Sequence, residues 1–232
     1  MCFSAQASFT GGAVITAIGI ATLAKAEKPA QIPFASIPLI FGIQQCAEGV
    51  LWITLRSDGY ERLQNAATYI FLITALVIWP TMMPLSIRLM EKVKPRKIIL
   101  AGLIAIGGLL SLYYAYCLLF YNVTPQIQSF HINYVNDFPG ALVKTAFVVY
   151  MAAPIAPLFV STVKRMWLFG ILVTVSCIVT GIFFAQYLTS VWCFFAAMIS
   201  ITIYWVLSGA RSEVKQLSKE IRSIIFPANP IT

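Results

Sequence analysis

The sequence predicts an all-α protein, a bundle of seven transmembrane helices with its N-terminus outside and its C-terminus in the cytoplasm. Of its 232 residues, 59% are hydrophobic and only 10% are charged. A soluble domain carries about 25% charged residues, so this composition indicates a chain whose outer surface faces lipid. Two further observations support this fold: a series of long apolar segments, and an uneven distribution of lysine and arginine between the connections.

Seven apolar segments follow one another, and most have about the 20 residues that a helix needs to cross a bilayer. Pro80 and Pro84 interrupt the third segment, and Pro154 and Pro157 interrupt the fifth. Proline in a membrane helix frees backbone carbonyls that other groups must satisfy. The predicted helices cover residues 7–24, 32–55, 64–87, 98–121, 141–163, 166–187 and 189–208.

The basic residues predict the orientation. Thirteen of the 16 lysines and arginines lie on one side of the predicted topology, and only Arg56, Arg62 and Lys144 lie on the other. Because basic residues accumulate on the cytoplasmic side, we expect a multi-pass protein of the plasma membrane with its N-terminus outside and its C-terminus in the cytoplasm. The bilayer then explains the net charge of +8, and no basic, aromatic-rich soluble segment indicates nucleic-acid binding.

Two regions follow from this pattern: a transmembrane domain at 1–209 and a tail at 210–232. In the tail, Val214, Leu217, Ile221 and Ile224 fall on one helical face, with lysine and arginine between them. This spacing is typical of an amphipathic helix that lies on the inner membrane surface. A plain extension of the seventh helix is the alternative.

Glu48 is the most informative residue, because a carboxylate inside an apolar helix costs several kcal/mol unless it is paired, protonated or hydrated. Gln44, Gln45, Glu48 and Trp52 share one helical face, since they lie three or four residues apart. We expect that face to look into the bundle or into a water-filled cavity, where Glu48 binds a ligand or a metal or handles a proton. The alternative is a protonated glutamate that is bonded to a neighbouring helix through glutamine or tyrosine.

The longest connection, residues 122–139, contains the only histidine, His131, as well as Asp137, and it has no basic residue. Long ordered loops often cap a site. Lys144 follows at the start of the fifth helix. The alternative for His131 is a solvated side chain. The predicted ligand-binding residues are Gln44, Gln45, Glu48, Trp52, His131, Asp137 and Lys144, and no catalytic residue is indicated.

Two cysteines lead to the hypothesis that the protein binds a metal ion. Cys2 and Cys193 fall on the same predicted side as Glu48 and His131. Thiolate, imidazole and carboxylate groups bind zinc or copper, so these four residues are candidate ligands of such an ion. The alternatives are an ordinary Cys2, a Cys193 that acts as a small buried hydrophobic residue, and a structural disulfide between the two cysteines on the oxidising outer side.

Four segments, MCFSAQASF, PLIFGIQQCAEGVLW, HINY and SVWCFFAA, resemble an uncharacterised family of bacterial multi-pass membrane proteins. The resemblance implies no activity. From the residues, we expect a polar pocket at the outer side that binds or senses a small ligand or a metal ion. The alternatives are a membrane-embedded, metal-dependent hydrolase acting on a lipid or small amphiphile, and a small transporter, which the prolines suggest.

Overall fold

The computed structural model describes residues 4–128, 130–184 and 187–225, and for residues 140–145, 147, 188 and 209–225 it describes the backbone alone. Helices make up most of it, as the composition predicts. They are α1 (Ala5–Leu23), α2 (Ile32–Ala35), α3 (Ile37–Thr54), α4 (Glu61–Leu72), α5 (Trp79–Met90), α6 (Lys94–Phe120), α7 (Gly140–Val160), α8 (Met166–Phe183) and α9 (Leu188–Ile225).

These helices form seven helical stretches. A 3₁₀ turn (Pro29–Gln31) and α2 lead into α3, and a π-helical segment (Ile73–Ile78) joins α4 to α5. In the described part of the chain, six stretches are long and apolar enough to cross a membrane. The seventh is α7, which has 21 residues. The predicted multi-pass helical bundle is therefore confirmed, while its orientation and the identity of the membrane stay predictions.

The last helix continues beyond the predicted boundary at residue 209. Its 38 residues run from Leu188 to Ile225 without a break in the helical backbone, and its apolar part covers Thr189–Ser208. The backbone of the tail up to Ile225 is thus an extension of the last helix. Contact of this tail with the membrane surface stays a prediction, and residues 226–232 lie outside the described residues.

The connection 122–139, which was expected to be a loop, contains a β-hairpin. Strand β1 (Val123–Gln128) pairs antiparallel with β2 (His131–Asn136), and Val123 lies opposite Asn136. Ile132 and Tyr134 are buried on β2, as the alternation of side chains along a strand requires. The ring of Tyr134 stacks on Phe71 of α4 at 5.0 Å. The hairpin therefore packs against the bundle.

The bundle has two ends that we name after their connections. The hairpin end carries the hairpin and the α3–α4 and α8–α9 connections. The basic end carries the α1–α2, α5–α6 and α7–α8 connections, which include Lys25, Lys92 and Arg165. In the predicted orientation, the hairpin end faces outward.

Pro80 explains the π-helical segment before α5. In a π-helix the carbonyl of residue i accepts a hydrogen bond from residue i+5. For Ala75 that residue is Pro80, which has no N–H to donate. The hydroxyl of Tyr150 on α7 donates to the Ala75 carbonyl instead. Ser111 on α6 donates to the Val77 carbonyl, so two neighbouring helices form hydrogen bonds with the segment.

Small residues fix which face of α3 meets α1. A side chain at Gly42 would lie 2.1 Å from the Thr16 hydroxyl, and one at Gly49 would lie 3.0 Å from the Phe9 ring. Glycine is required at such close approaches because it has no Cβ. With this face against α1, the glutamine-rich face of α3 turns towards α5 and α9.

Candidate functional site

One face of α3 carries four buried side chains that the spacing groups together. Gln44 and Glu48 are 0% exposed, Gln45 is 1% exposed and Trp52 is 2% exposed. In a membrane protein a buried polar face needs partners on neighbouring helices, since neither lipid nor water satisfies it. The prediction that this face looks into the bundle is confirmed by its burial.

Three helices meet at this polar face. The Ser190 hydroxyl on α9 donates a hydrogen bond to Oε1 of Glu48. Nε1 of Trp79 on α5 donates to Oε1 of Gln44 over 3.2 Å. The Gln44 side chain also lies beside Cys193, which lies one helical turn after Ser190. We call these five residues the polar layer.

The alternative interpretation of Glu48 was a side chain that is hydrogen-bonded to a neighbouring helix, and the structure contains such a bond. A neighbouring helix does bond to the glutamate, through the hydroxyl of Ser190. The sequence pattern does not single out Ser190, because a serine at a helix start usually caps or faces water. Its position three residues before Cys193 is the available signal, since that spacing places both on one helix face.

Several buried hydrogen-bond donors in and beside the polar layer lack an acceptor within the described part of the chain. The Nε2 atoms of Gln44 and Gln45 and the Nε1 atoms of Trp52 and Trp192 are buried, and none has an acceptor among the residues that the structure describes. A buried donor without an acceptor costs about 1–3 kcal/mol. A group with acceptor atoms, such as water, would satisfy these donors.

His131 is buried rather than solvated. Its ring stacks on Tyr187 at 4.6 Å with an interplanar angle of 10° and also contacts Phe184 at 5.4 Å. It pairs with Gln128 at the turn of the hairpin. Burial lowers the pKa of His131 below its ordinary value, which favours the neutral ring. This residue therefore fastens the hairpin to the α8–α9 connection.

The predicted metal ligands do not form a site among the residues described. No three histidine, cysteine, aspartate or glutamate side chains lie close enough there to hold a metal ion. Glu48 and Cys193 both belong to the polar layer, whereas His131 packs on aromatic rings instead. Cys2 lies outside the described residues, so the complete four-ligand zinc or copper site stays a prediction.

Two other predicted ligand-binding residues lie apart from the polar layer. Asp137 is exposed, and its backbone N–H donates to the Asn122 carbonyl at the base of the hairpin. Lys144 lies in the first turns of α7, and its side chain is not among those described. Of the predicted residues whose side chains are described, Gln44, Gln45, Glu48 and Trp52 share the buried face of α3, whereas His131 and Asp137 belong to the hairpin region.

A cavity lies beneath the hairpin and measures about 130 Å³. The sequence did not single out its walls, which carry aromatic rings, two other polar side chains and several aliphatic ones. The aromatic rings belong to Tyr113 and Tyr114 on α6, Tyr134 on β2, Phe138 after β2 and Tyr150 on α7, and the polar side chains are those of Asn136 and Thr189. Thr189 directly precedes Ser190, so the cavity lies next to the polar layer.

Tyr150 also lines a second, smaller cavity. This apolar cavity measures about 40 Å³ and is bounded by Trp79, Trp192 and Cys193, among others. The rings of Tyr150 and Trp192 meet edge to face at 5.9 Å. Tyr150 thus separates the cavity beneath the hairpin from an apolar space inside the bundle.

A second buried carboxylate, Glu91, lies at the basic end. Oε1 accepts hydrogen bonds from the backbone of Lys92 and Val93 and from the Thr162 hydroxyl, at 2.8, 3.0 and 2.6 Å. Oε2 accepts from the Thr162 backbone N–H at 2.7 Å. Burial raises the pKa of Glu91, but these hydrogen bonds outweigh it and hold the pKa below the ordinary value. Glu91 therefore ties the α5–α6 connection to the α7–α8 connection.

Comparison with known proteins adds a family but no activity. A family model described as a family of unknown function, DUF6629, matches residues 1–218. None of the curated proteins and none of the solved structures matches the chain. The expected resemblance to an uncharacterised family is confirmed, whereas its bacterial origin stays a prediction.

Proposed function

This chain belongs to the family of unknown function DUF6629, and we propose that it is a membrane protein that binds a small organic ligand beneath its β-hairpin. The observation that carries this proposal is the cavity of about 130 Å³ between the hairpin, α6, α7 and α9. In the orientation that the basic residues predict, this site lies at the outer side of the plasma membrane.

The size of the cavity limits the ligand. A water molecule occupies about 30 Å³ in the liquid, so the cavity has room for about four waters or a ligand of comparable volume. Drug-sized ligands need larger clefts, of about 300 Å³ or more. We therefore propose a small compound, or the small end group of a larger one.

The cavity walls favour binding over catalysis. Tyrosine, asparagine and threonine can orient a ligand through hydrogen bonds, and aromatic and aliphatic side chains exclude water around it. Hydrolysis needs a nucleophile, a general acid–base pair or a metal at the reacting bond. Among the described lining residues there is no histidine, cysteine, aspartate or glutamate. We accordingly favour a binding or sensing role over the hydrolase alternative.

A cavity-filling substitution tests the proposal. Val123 on β1 lines the cavity, whereas its neighbour Thr124 is exposed. Purified protein in lipid nanodiscs is titrated with cationic, neutral and anionic small organic solutes while its thermal unfolding is followed. We expect at least one class to raise the unfolding temperature of the wild type and of Thr124→Trp but not of Val123→Trp.

Two results would contradict this proposal. In the first, no solute class stabilises the wild-type protein. In the second, stabilisation survives in Val123→Trp to the same extent as in Thr124→Trp, which would locate the bound solute elsewhere. Both variants carry the same new side chain on the same strand, so their comparison separates loss of the cavity from a general effect of tryptophan.

A further inference from the structure

Aromatic rings dominate the walls of the cavity beneath the hairpin. Five of its eleven described lining residues are tyrosine or phenylalanine, and none of the eleven is lysine, arginine, aspartate or glutamate. The two other polar side chains, Asn136 and Thr189, are uncharged. The cavity therefore offers π-faces and a few hydrogen-bonding groups, without a fixed charge of either sign among these residues.

The rings form the walls of a box rather than a stack. Tyr114 forms one of these walls, and its ring meets Tyr150 at 5.8 Å and 83°, Tyr113 at 5.2 Å and 63°, and Phe138 at 6.4 Å and 52°. The cavity lies between these rings and Tyr134 of the hairpin, so aromatic side chains from α6, α7 and the hairpin line it on several sides.

A box of aromatic rings is suited to an organic cation. The face of an aromatic ring carries partial negative charge and attracts a cation within about 6 Å of its centre. A quaternary ammonium group has no N–H that needs an acceptor, and its methyl groups spread the charge over an apolar surface. An anion would find no basic side chain among the described lining residues.

The rim adds a favourable charge. Asp137 lies between two lining residues, Asn136 and Phe138, and is exposed. A carboxylate at this position attracts a cation towards the hairpin end, although solvent screens its effect over about 10 Å. This placement gives Asp137, predicted from the sequence as ligand-binding, a role at the rim rather than inside the cavity.

We propose that the aromatic cavity binds a quaternary ammonium or methylated amine group. The inference rests on the proposed function, because it names the chemical class of ligand for the same cavity. The group belongs either to a free small molecule or to the choline headgroup of a lipid, since both present the same trimethylated nitrogen.

A pair of isosteric ligands tests the charge preference. Choline and 3,3-dimethylbutan-1-ol have nearly the same shape, but only choline is charged. In nanodiscs made of phosphatidylglycerol alone, we expect choline to bind at least about tenfold more tightly than the alcohol, measured by calorimetry. Equal affinities would overturn the inference while leaving the small-ligand proposal intact. Binding of neither compound, nor of any solute class, would overturn both.

Variants of Tyr114 show whether the rings supply the affinity. Tyr114→Phe keeps the π-face and should bind choline within about threefold of the wild type, whereas Tyr114→Leu should lose at least about tenfold. Tyr116→Leu is the matched control, because Tyr116 lies on the same helix, is exposed and does not line the cavity. Undiminished choline binding in a folded Tyr114→Leu protein would overturn the inference.

The lipid composition distinguishes the two sources of the cation. The choline titration is repeated in nanodiscs that contain phosphatidylcholine. Weaker apparent choline affinity in these nanodiscs would support a lipid headgroup as the occupant, and unchanged affinity would support a free small cation. Either result is compatible with the proposed class, provided that choline binds in the first experiment.

Discussion

Replacement of Glu91 by glutamine tests how the basic end is held together. The carboxylate of Glu91 is 1% exposed and accepts four hydrogen bonds, three at Oε1 and one at Oε2. Glutamine keeps the shape but has one oxygen and one NH₂ group in place of two oxygens. If its oxygen takes the place of Oε1, its NH₂ group faces the N–H of Thr162, donor against donor.

The size of the effect follows from these contacts. A buried donor left without an acceptor costs about 1–3 kcal/mol. The three remaining hydrogen bonds change from a charged to a neutral acceptor and each weaken by about 1 kcal/mol. Glutamine avoids the cost of burying a charge, which offsets part of this loss. We therefore expect Glu91→Gln to lower the free energy of unfolding by about 2–4 kcal/mol.

Reversible unfolding in mixed micelles of mild detergent and sodium dodecyl sulfate measures this change at neutral pH. Thr162→Val should cost about 1–2 kcal/mol, because it removes the hydroxyl but keeps the backbone hydrogen bond. Asp58→Asn is the control, since Asp58 is exposed at the other end and should matter by less than about 0.5 kcal/mol. A Glu91→Gln protein as stable as Asp58→Asn would refute the reasoning.

Acidification offers an independent check on Glu91. Its pKa is lower in the folded protein than the ordinary value of 4.5. A carboxylate of this kind contributes its stability above the ordinary pKa, and the contribution is lost as the pH falls from about 4.5 through the folded value. The wild type should therefore lose its advantage over Glu91→Gln in this range. An advantage that persists well below it would contradict the assignment.

Two further pairs of substitutions test contacts inside the bundle. Gly107→Ala should destabilise the protein by about 1–3 kcal/mol or more, because the new Cβ would lie 2.0 Å from the Pro80 carbonyl oxygen. Gly108→Ala, with nothing within 4 Å, should be neutral or stabilising in the same unfolding assay. Ser190→Ala should cost about 1–3 kcal/mol, because Glu48 loses a buried donor, whereas Glu48→Gln should stay within about 1 kcal/mol of the wild type. Equal stabilities within either pair would contradict the corresponding contact.

Hydrophobicity predicts the helices well but not the hairpin. The predicted span 98–121 becomes Lys94–Phe120, because Pro95 fits the first turn of a helix even among charged residues. The hairpin was missed because polar residues and Pro125 obscure its alternation. Its stability depends on packing against the bundle, for example of Tyr134 on Phe71, and a local sequence pattern does not reveal such contacts.

In the candidate site, too, local sequence patterns reveal some residues, whereas others are brought together only by tertiary packing. A glutamate inside an apolar run stands out, and helical spacing then identifies Gln44, Gln45 and Trp52 as its neighbours on one face. The tyrosines of the cavity do not stand out, because tyrosine is common near membrane interfaces as an anchor. Tyr114 and Tyr134 are separated by the turn from α6 into the hairpin, and only the packing of the hairpin onto the bundle brings them together.

Tyr150 shows that a proline in a helix predicts an unsatisfied backbone carbonyl, but not which residue forms a hydrogen bond with it. Pro80 lacks an N–H, so the sequence implies that some group must satisfy a freed carbonyl in the third span. The Tyr150 hydroxyl meets that need at Ala75, and its ring forms a wall of both cavities. The break before α5 and the shape of the candidate site therefore depend on one side chain. Which residue fills this role follows from the position of α7 beside the π-helical segment, and that position is set by the packing of the whole bundle.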